Sequence, residues 1–160
     1  MIDYKRVLAP TDFSDSSGEA LRHACWLAER FGAELHILHV LTEIVPTGPD
    51  PLMMPVMPPQ FYQDDEDKAR KALEGVIKPT WGKPASVKTA IRWGSAAEAI
   101  VDYAAEQAID LIVVSTHGRT GLSHILLGSV AERIVRESPC PVLTIRRRKP
   151  ARDEAEAQTA

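Results

Sequence analysis

The 160-residue chain has little cysteine, no long apolar run and no excess of positive charge. Cys25 lies within a helical pattern and Cys140 sits between two prolines, so the pair offers neither a disulfide framework nor a metal-finger spacing. A reducing cytoplasm is the expected setting. No stretch approaches the roughly eighteen apolar residues that a membrane-spanning helix needs, and the opening "MIDYKRVLAPTDFS" lacks the charged-then-apolar layout of an export signal. Neither membrane insertion nor export is expected. The formal net charge of -3 argues against a broad nucleic-acid-binding face. Three nucleotide and hydrolase signatures are also missing. Without GxxxxGK[ST] the chain is not a P-loop NTPase, without GxGxxG after the first strand it lacks the dinucleotide fingerprint, and without GxSxG it has no nucleophile elbow.

What is present is the composition of one globular domain, 44% hydrophobic and 26% charged. Short β-branched runs alternate with segments of helical period, which predicts an α/β fold: an open five-stranded parallel sheet with helices on both faces. The strands are "RVLAP" from Arg6, "ELHILHV" from Glu34, "SVKTAI" from Ser86, "DLIVVST" from Asp110 and "PVLTIR" from Pro141. A first helix spans Ser16 to the stop at Gly32, with Ser16 and Glu19 at capping-box spacing and Ala20, Leu21, Ala24, Leu27 and Ala28 on one face. A polar helix follows from about Gln63 to Lys78. In "GSAAEAIVDYAAEQA", Ser95 and Glu98 form another box, and Ala97, Ile100, Val101 and Ala104 form the buried stripe. The last helix begins near Ser129, with Glu132 three residues on, and is expected to bury Val130, Ile134 and Val135.

The segment from Glu43 to Tyr62 breaks this regularity. It holds six of the twelve prolines and three of the four methionines, so it is read as a loop, either an idle insertion or a lid or partner surface that meets a protein through its methionines. The polar tail, 148–160, lacks periodicity and is expected to be disordered.

Ligands of open parallel sheets bind outside the carboxyl ends of the strands. Three segments fall there: "APTDFS" after the first strand, "HV" ending the second, and "STHGRTG" after the fourth. Glycines let a main chain approach a phosphate closely, and the start of a helix exposes unpaired N–H groups at the positive end of its dipole. Gly128, Ser129 and Val130 are therefore candidate phosphate donors, with Gly118 and Arg119 closing the other side. Each has a plainer reading: Ser129 and Glu132 as a cap, Gly121 as a bend, Arg119 as a solvated charge. Asp12 either accepts hydrogen bonds from a ribose or adenine amino group or closes an Asx turn. His117 lacks an identifiable partner and reads more readily as structural than catalytic. His36 and His39 are placed on one strand face, His23 lies elsewhere, and no metal site is expected.

Taken together, "VLAPTDFS", "LHV", "STHGRTG" and "LLGSVAERIVRESPCPVL" resemble the universal stress protein family over nearly the whole chain, with residues 1–147 as its domain. The resemblance implies a Rossmann-like fold of the adenine nucleotide alpha hydrolase type and a homodimer. Members that bind ATP carry Gly, two residues, Gly, nine residues, Gly and Ser or Thr. Gly118, Gly128 and Ser129 match this pattern, whereas Ser115 stands in the place of the first glycine, near the ribose. The same resemblance puts Pro10, Asp12 and Val40 at adenosine-contacting positions, Val40 through its backbone. The expected protein is a cytoplasmic stress-response factor that binds ATP, with Mg²⁺ carried on the phosphates, and turns it over slowly or not at all. It pairs through its last strand. A nucleotide-free interaction module of the same fold is the alternative, and a hydrolase or phosphotransferase using His117 or Asp12 ranks behind both.

Overall fold

A computed structural model describes residues 3–42, 59–116 and 127–146. The Pro/Met segment through residue 58, the glycine-bearing turn 117–126 with His117, Gly118, Arg119 and Gly121, and the tail from 147 lie outside the described residues. In chain order the elements are β1 (Arg6–Pro10), α1 (Asp15–Phe31), β2 (Glu34–Leu41), α2 (Pro59–Glu74), β3 (Ser86–Trp93), α3 (Ala96–Glu106), β4 (Leu111–Ser115), α4 (Ser129–Glu137) and β5 (Val142–Ile145). All five strands pair in parallel, in the spatial order β3-β2-β1-β4-β5.

That order dictates where the helices go. From β1 the chain steps outward to β2 and β3, then returns past β1 to β4 and β5, and a right-handed crossover places helices on opposite faces for opposite directions of travel. Accordingly Val7, Ala9, Leu35, Ile37, Leu111 and Val113 pack on one face beneath α1 and Leu73 of α2. Their sequence neighbours Leu8, Leu38, Ile112 and Val114 pack on the other beneath α3 and α4. Central strands covered on both faces must be apolar at every position, and this is why "VLA" and "LIVV" show no alternation.

Several local expectations are corrected by packing. The N-cap of α1 is Ser14, whose hydroxyl accepts the Ser17 N–H at 3.2 Å, rather than Ser16 with Glu19; Glu19 instead pairs with Arg22. Ser95 does cap α3, but its side chain makes no capping bond, and Glu98 reaches across to Arg133 of α4 at 2.7 Å. Tyr103 completes the buried stripe of α3 while Val101 is only half-buried. Helix α2 starts at Pro59, several residues early, because proline at the first turn lacks only an N–H that the helix would leave unused. On α4 the buried residues are Ala131 and Ile134, whereas Val130 and Val135 remain 41% and 49% exposed.

His36 and His39 do not share a face. Three residues apart on a period-two strand, they point to opposite sides. His36 is buried against Tyr103, its Nδ1 3.0 Å from the phenol oxygen, and His39 turns toward the β1–α1 loop.

Candidate functional site

At the amino-terminal end of the sheet the strands are held shut. One carboxylate oxygen of Asp110 accepts the main-chain N–H groups of Lys5 and Arg6, each at 2.8 Å, and joins the start of β4 to the start of β1. At the carboxyl end they part. β1 pairs with β4 only at Val7 and Leu8, but with β2 as far as Pro10 opposite Leu38. The crevice between β1 and β4 is the switch point, where the strand order reverses and where open α/β sheets hold their ligands.

The β1–α1 loop forms one wall. Pro10 is buried at the end of β1, and the loop after it is closed by its own side chains. Asp12 Oδ1 accepts the Ser14 N–H at 3.0 Å, an Asx turn, so the second of its two readings is realised. Thr11 Oγ1 accepts the Phe13 N–H at 3.1 Å and lies 3.2 Å from the Ser17 hydroxyl. Between these bonds Phe13 adopts φ 62°, the left-handed region that a bulky residue rarely enters.

Val40 is the next-to-last residue of β2, beside this crevice. The Leu38 carbonyl accepts the Thr11 N–H on the β1 side, and the Leu41 carbonyl accepts the Gly94 N–H on the β3 side, both at 2.9 Å. Peptide groups alternate along a strand, so those of Val40 face the β1 side, beyond the last β1 pair.

The third wall is the end of β4 with the start of α4. Ser115 closes β4 opposite Ile145, and Thr116 is buried just beyond it. The Gly128 N–H donates to the Thr116 carbonyl at 2.7 Å, and the first intrahelical bond runs from Glu132 N–H to the Gly128 carbonyl at 2.9 Å. Gly128 is thus the N-cap, with φ -69° and ψ 153°, a conformation open to any residue. The expected donor set is narrowed by this: the Gly128 N–H is committed to Thr116, while Ser129 and Val130 occupy the first two helical positions, whose N–H groups have no partner within the helix.

The structure therefore brings Pro10, Asp12, Val40, Ser115, Gly128, Ser129 and Val130 to one edge of the sheet. Gly118 and Arg119 lie outside the described residues. His39, in "LHV", adjoins this edge; its ring lies 4.5 Å from that of Phe13 and its Nδ1 2.7 Å from the Thr11 carbonyl. Among the described residues no three His, Cys, Asp or Glu side chains converge as a metal site.

The universal stress protein family model matches residues 3–146. The chain belongs to the universal stress protein family. Among its relatives, universal stress protein MJ0531 of Methanocaldococcus jannaschii is 35% identical over 91% of this chain and 84% of its own. The solved structure of UspA from Lactobacillus plantarum superposes with a TM-score of 0.71 at 27% identity, covering 91% of this chain and all of that one. A universal stress protein crystallised in complex with cAMP superposes with a TM-score of 0.65 at 25% identity, over 91% of this chain and 98% of that one. These neighbours share the fold of this chain, and among the described residues no helix of this universal stress protein is long and apolar enough to cross a membrane.

Proposed function

We propose that this universal stress protein binds ATP in the β1/β4 crevice and acts through occupancy, as a nucleotide-responsive regulatory or protective factor. The observation that carries this reading is the convergence of three chemically distinct walls on one crevice: the Asp12 carboxylate, the outward peptide groups of Val40 and the N-terminus of α4 tied to Thr116. A carboxylate and strand-edge peptide groups suit the hydrogen-bonding edges of adenosine. A helix N-terminus suits phosphate. The related protein that holds cAMP supports an adenine nucleotide as the ligand class. In this reading Pro10, Asp12, Val40 and Ser115 meet the nucleoside, and Ser129 and Val130 meet the phosphates, with Gly128 permitting close approach. Gly118 and Arg119 belong to the same site by motif. Mg²⁺ would be carried on the phosphates.

The reading is non-catalytic. Asp12 is engaged in its Asx turn, and the described walls contain no nucleophile with an adjacent base. Mass spectrometry of gently purified protein, together with calorimetric titration of Mg-ATP, tests the proposal. Co-purified adenine nucleotide or saturable binding is expected. Protein that carries no nucleotide and does not bind ATP would favour the nucleotide-free interaction module, and turnover of order 10 per second would refute the non-catalytic reading.

The same proposal includes a homodimer through β5. This strand ends the sheet, Leu143 on it is 38% exposed, and Val130 and Val135 on the neighbouring α4 add apolar surface. Pairing with a second copy would satisfy the open edge and cover that surface.

A further inference from the structure

We propose that His39 is a positioning residue of the nucleotide site, whose imidazole sets the shape of the loop that carries Asp12. The role rests on the nucleotide reading above, and its structural half stands without it.

Thr11 is held from two directions by β2. Its N–H donates to the Leu38 carbonyl at 2.9 Å, and its own carbonyl oxygen lies 2.7 Å from His39 Nδ1. A carbonyl only accepts, so Nδ1 carries the proton and donates. His39 is 8% exposed, and in that setting a donor–acceptor pair of this kind is costly to break from one side only. The same ring lies 4.5 Å from Phe13, tilted 37° to it. Phe13 is the residue at φ 62°, a conformation that persists only where its surroundings over-determine it. Here the surroundings are the His39 ring on the side chain and Thr11 Oγ1 on the N–H.

Asp12 sits between these two clamped residues. With Thr11 fixed by hydrogen bonds and Phe13 by its ring, the carboxylate of Asp12 is directed back onto the Ser14 N–H. His39 is also the direct neighbour of Val40, so one side chain joins the two segments read as adenosine contacts, Pro10–Asp12 and Val40, which lie on different strands. A leucine could fill the same volume. Only a ring or amide with a donor at the Nδ1 position can hold Thr11.

Three variants separate positioning from packing. His39→Leu removes the donor and the ring, His39→Asn keeps an amide N–H near the Nδ1 position, and His39→Gln moves the N–H one bond further out. Each is assayed for Mg-ATP affinity by calorimetry, and for amide hydrogen exchange at Phe13 and Ser14 without nucleotide. His39→Leu and His39→Gln are expected to weaken ATP at least about tenfold and to speed exchange at both amides, while His39→Asn, which restores the donor but not the ring, falls between wild type and His39→Leu on both readouts. Should the leucine variant not fold, the glutamine and asparagine pair carries the test. Unchanged exchange at Phe13 and Ser14 in His39→Gln would overturn the clamp, and so would His39→Asn losing protection as fully as His39→Leu. If wild type itself binds no ATP, the nucleotide reading fails and the exchange measurements alone decide whether His39 shapes the loop.

Discussion

The main-chain N–H of Gly128 meets the carbonyl oxygen of Thr116 at 2.7 Å and pins the start of α4 to the end of β4. The bond uses only backbone, and Gly128 has φ -69° and ψ 153°, so a side chain at this position meets no conformational objection. Gly128→Val should therefore melt close to wild type in the absence of nucleotide. Its Cβ branches would stand where a phosphate must approach the main chain. Wild type saturated to 100 times Kd should gain about 2.7 kcal/mol from ATP, and the variant should gain almost none. Paired thermal melts with and without ATP measure this, and equal shifts would reduce the segment to a simple bend.

Asp12→Asn isolates the ligand role of the carboxylate from its structural role. The asparagine oxygen can still accept the Ser14 N–H that Asp12 Oδ1 accepts at 3.0 Å, so the Asx turn and the melting temperature should survive. The charge and the second acceptor are lost. A drop in ATP affinity of about tenfold, with an unaltered melt, is the expected calorimetric result; Asp12→Ala should in addition cost about 1 kcal/mol of stability.

Burial pushes the pKa of His36 below its ordinary value of 6.5, against a smaller upward pull from Glu34, whose carboxylate lies 3.2 Å from Nε2. The unfolded chain then binds a proton that the folded chain refuses. Stability is full above about pH 6.5 and falls as the pH drops from there toward the folded-state pKa, at up to about 1.4 kcal/mol per pH unit. His36→Gln should flatten that part of the curve, read from urea midpoints between pH 7 and 5. An unchanged slope would place the titration in another group.

Light scattering at micromolar concentration should report twice the 17.6 kDa chain mass. Leu143→Lys puts a charge on the open edge strand, where like charges would face each other across a two-fold axis. The variant should run as a monomer with its ATP affinity reduced no more than about twofold. A wild-type protein that stays monomeric across the accessible range would remove the dimer from the proposal.

The parallel sheet was legible because it rests on local composition. "VLA" and "LIVV" are uninterrupted apolar runs, and such runs between helical periods have few other homes than the centre of a sheet covered on both faces. The edge that gathers Pro10, Asp12, Val40 and Ser129 was legible for a related reason: they lie at or just past strand ends or open a helix, and strand polarity sends such positions to one edge, whereas the contacts proposed for them rest on the family resemblance. The element ends were less so. Ser16 with Glu19 has the right spacing for a cap, yet Ser14 takes the role because Asp12 and Thr11 already bend the chain there. The exposure of Val130 and Val135 was equally invisible, since an amphipathic pattern does not say which apolar residue will lack a neighbour.

What the chain determined by itself, then, was the alternation of strands and helices, the apolar centre of the sheet and the set of residues at its carboxyl edge, all consequences of period and polarity that neighbours do not alter. Tertiary structure alone decided the rest. It opened β1 from β4 beyond Leu8, spent the Gly128 N–H on Thr116, and sent His36 to Tyr103 but His39 to Thr11. Each of these is a pairing between groups distant along the chain. Which of two equally suitable partners a donor finds is settled by where packing leaves it, and no spacing in the sequence records that.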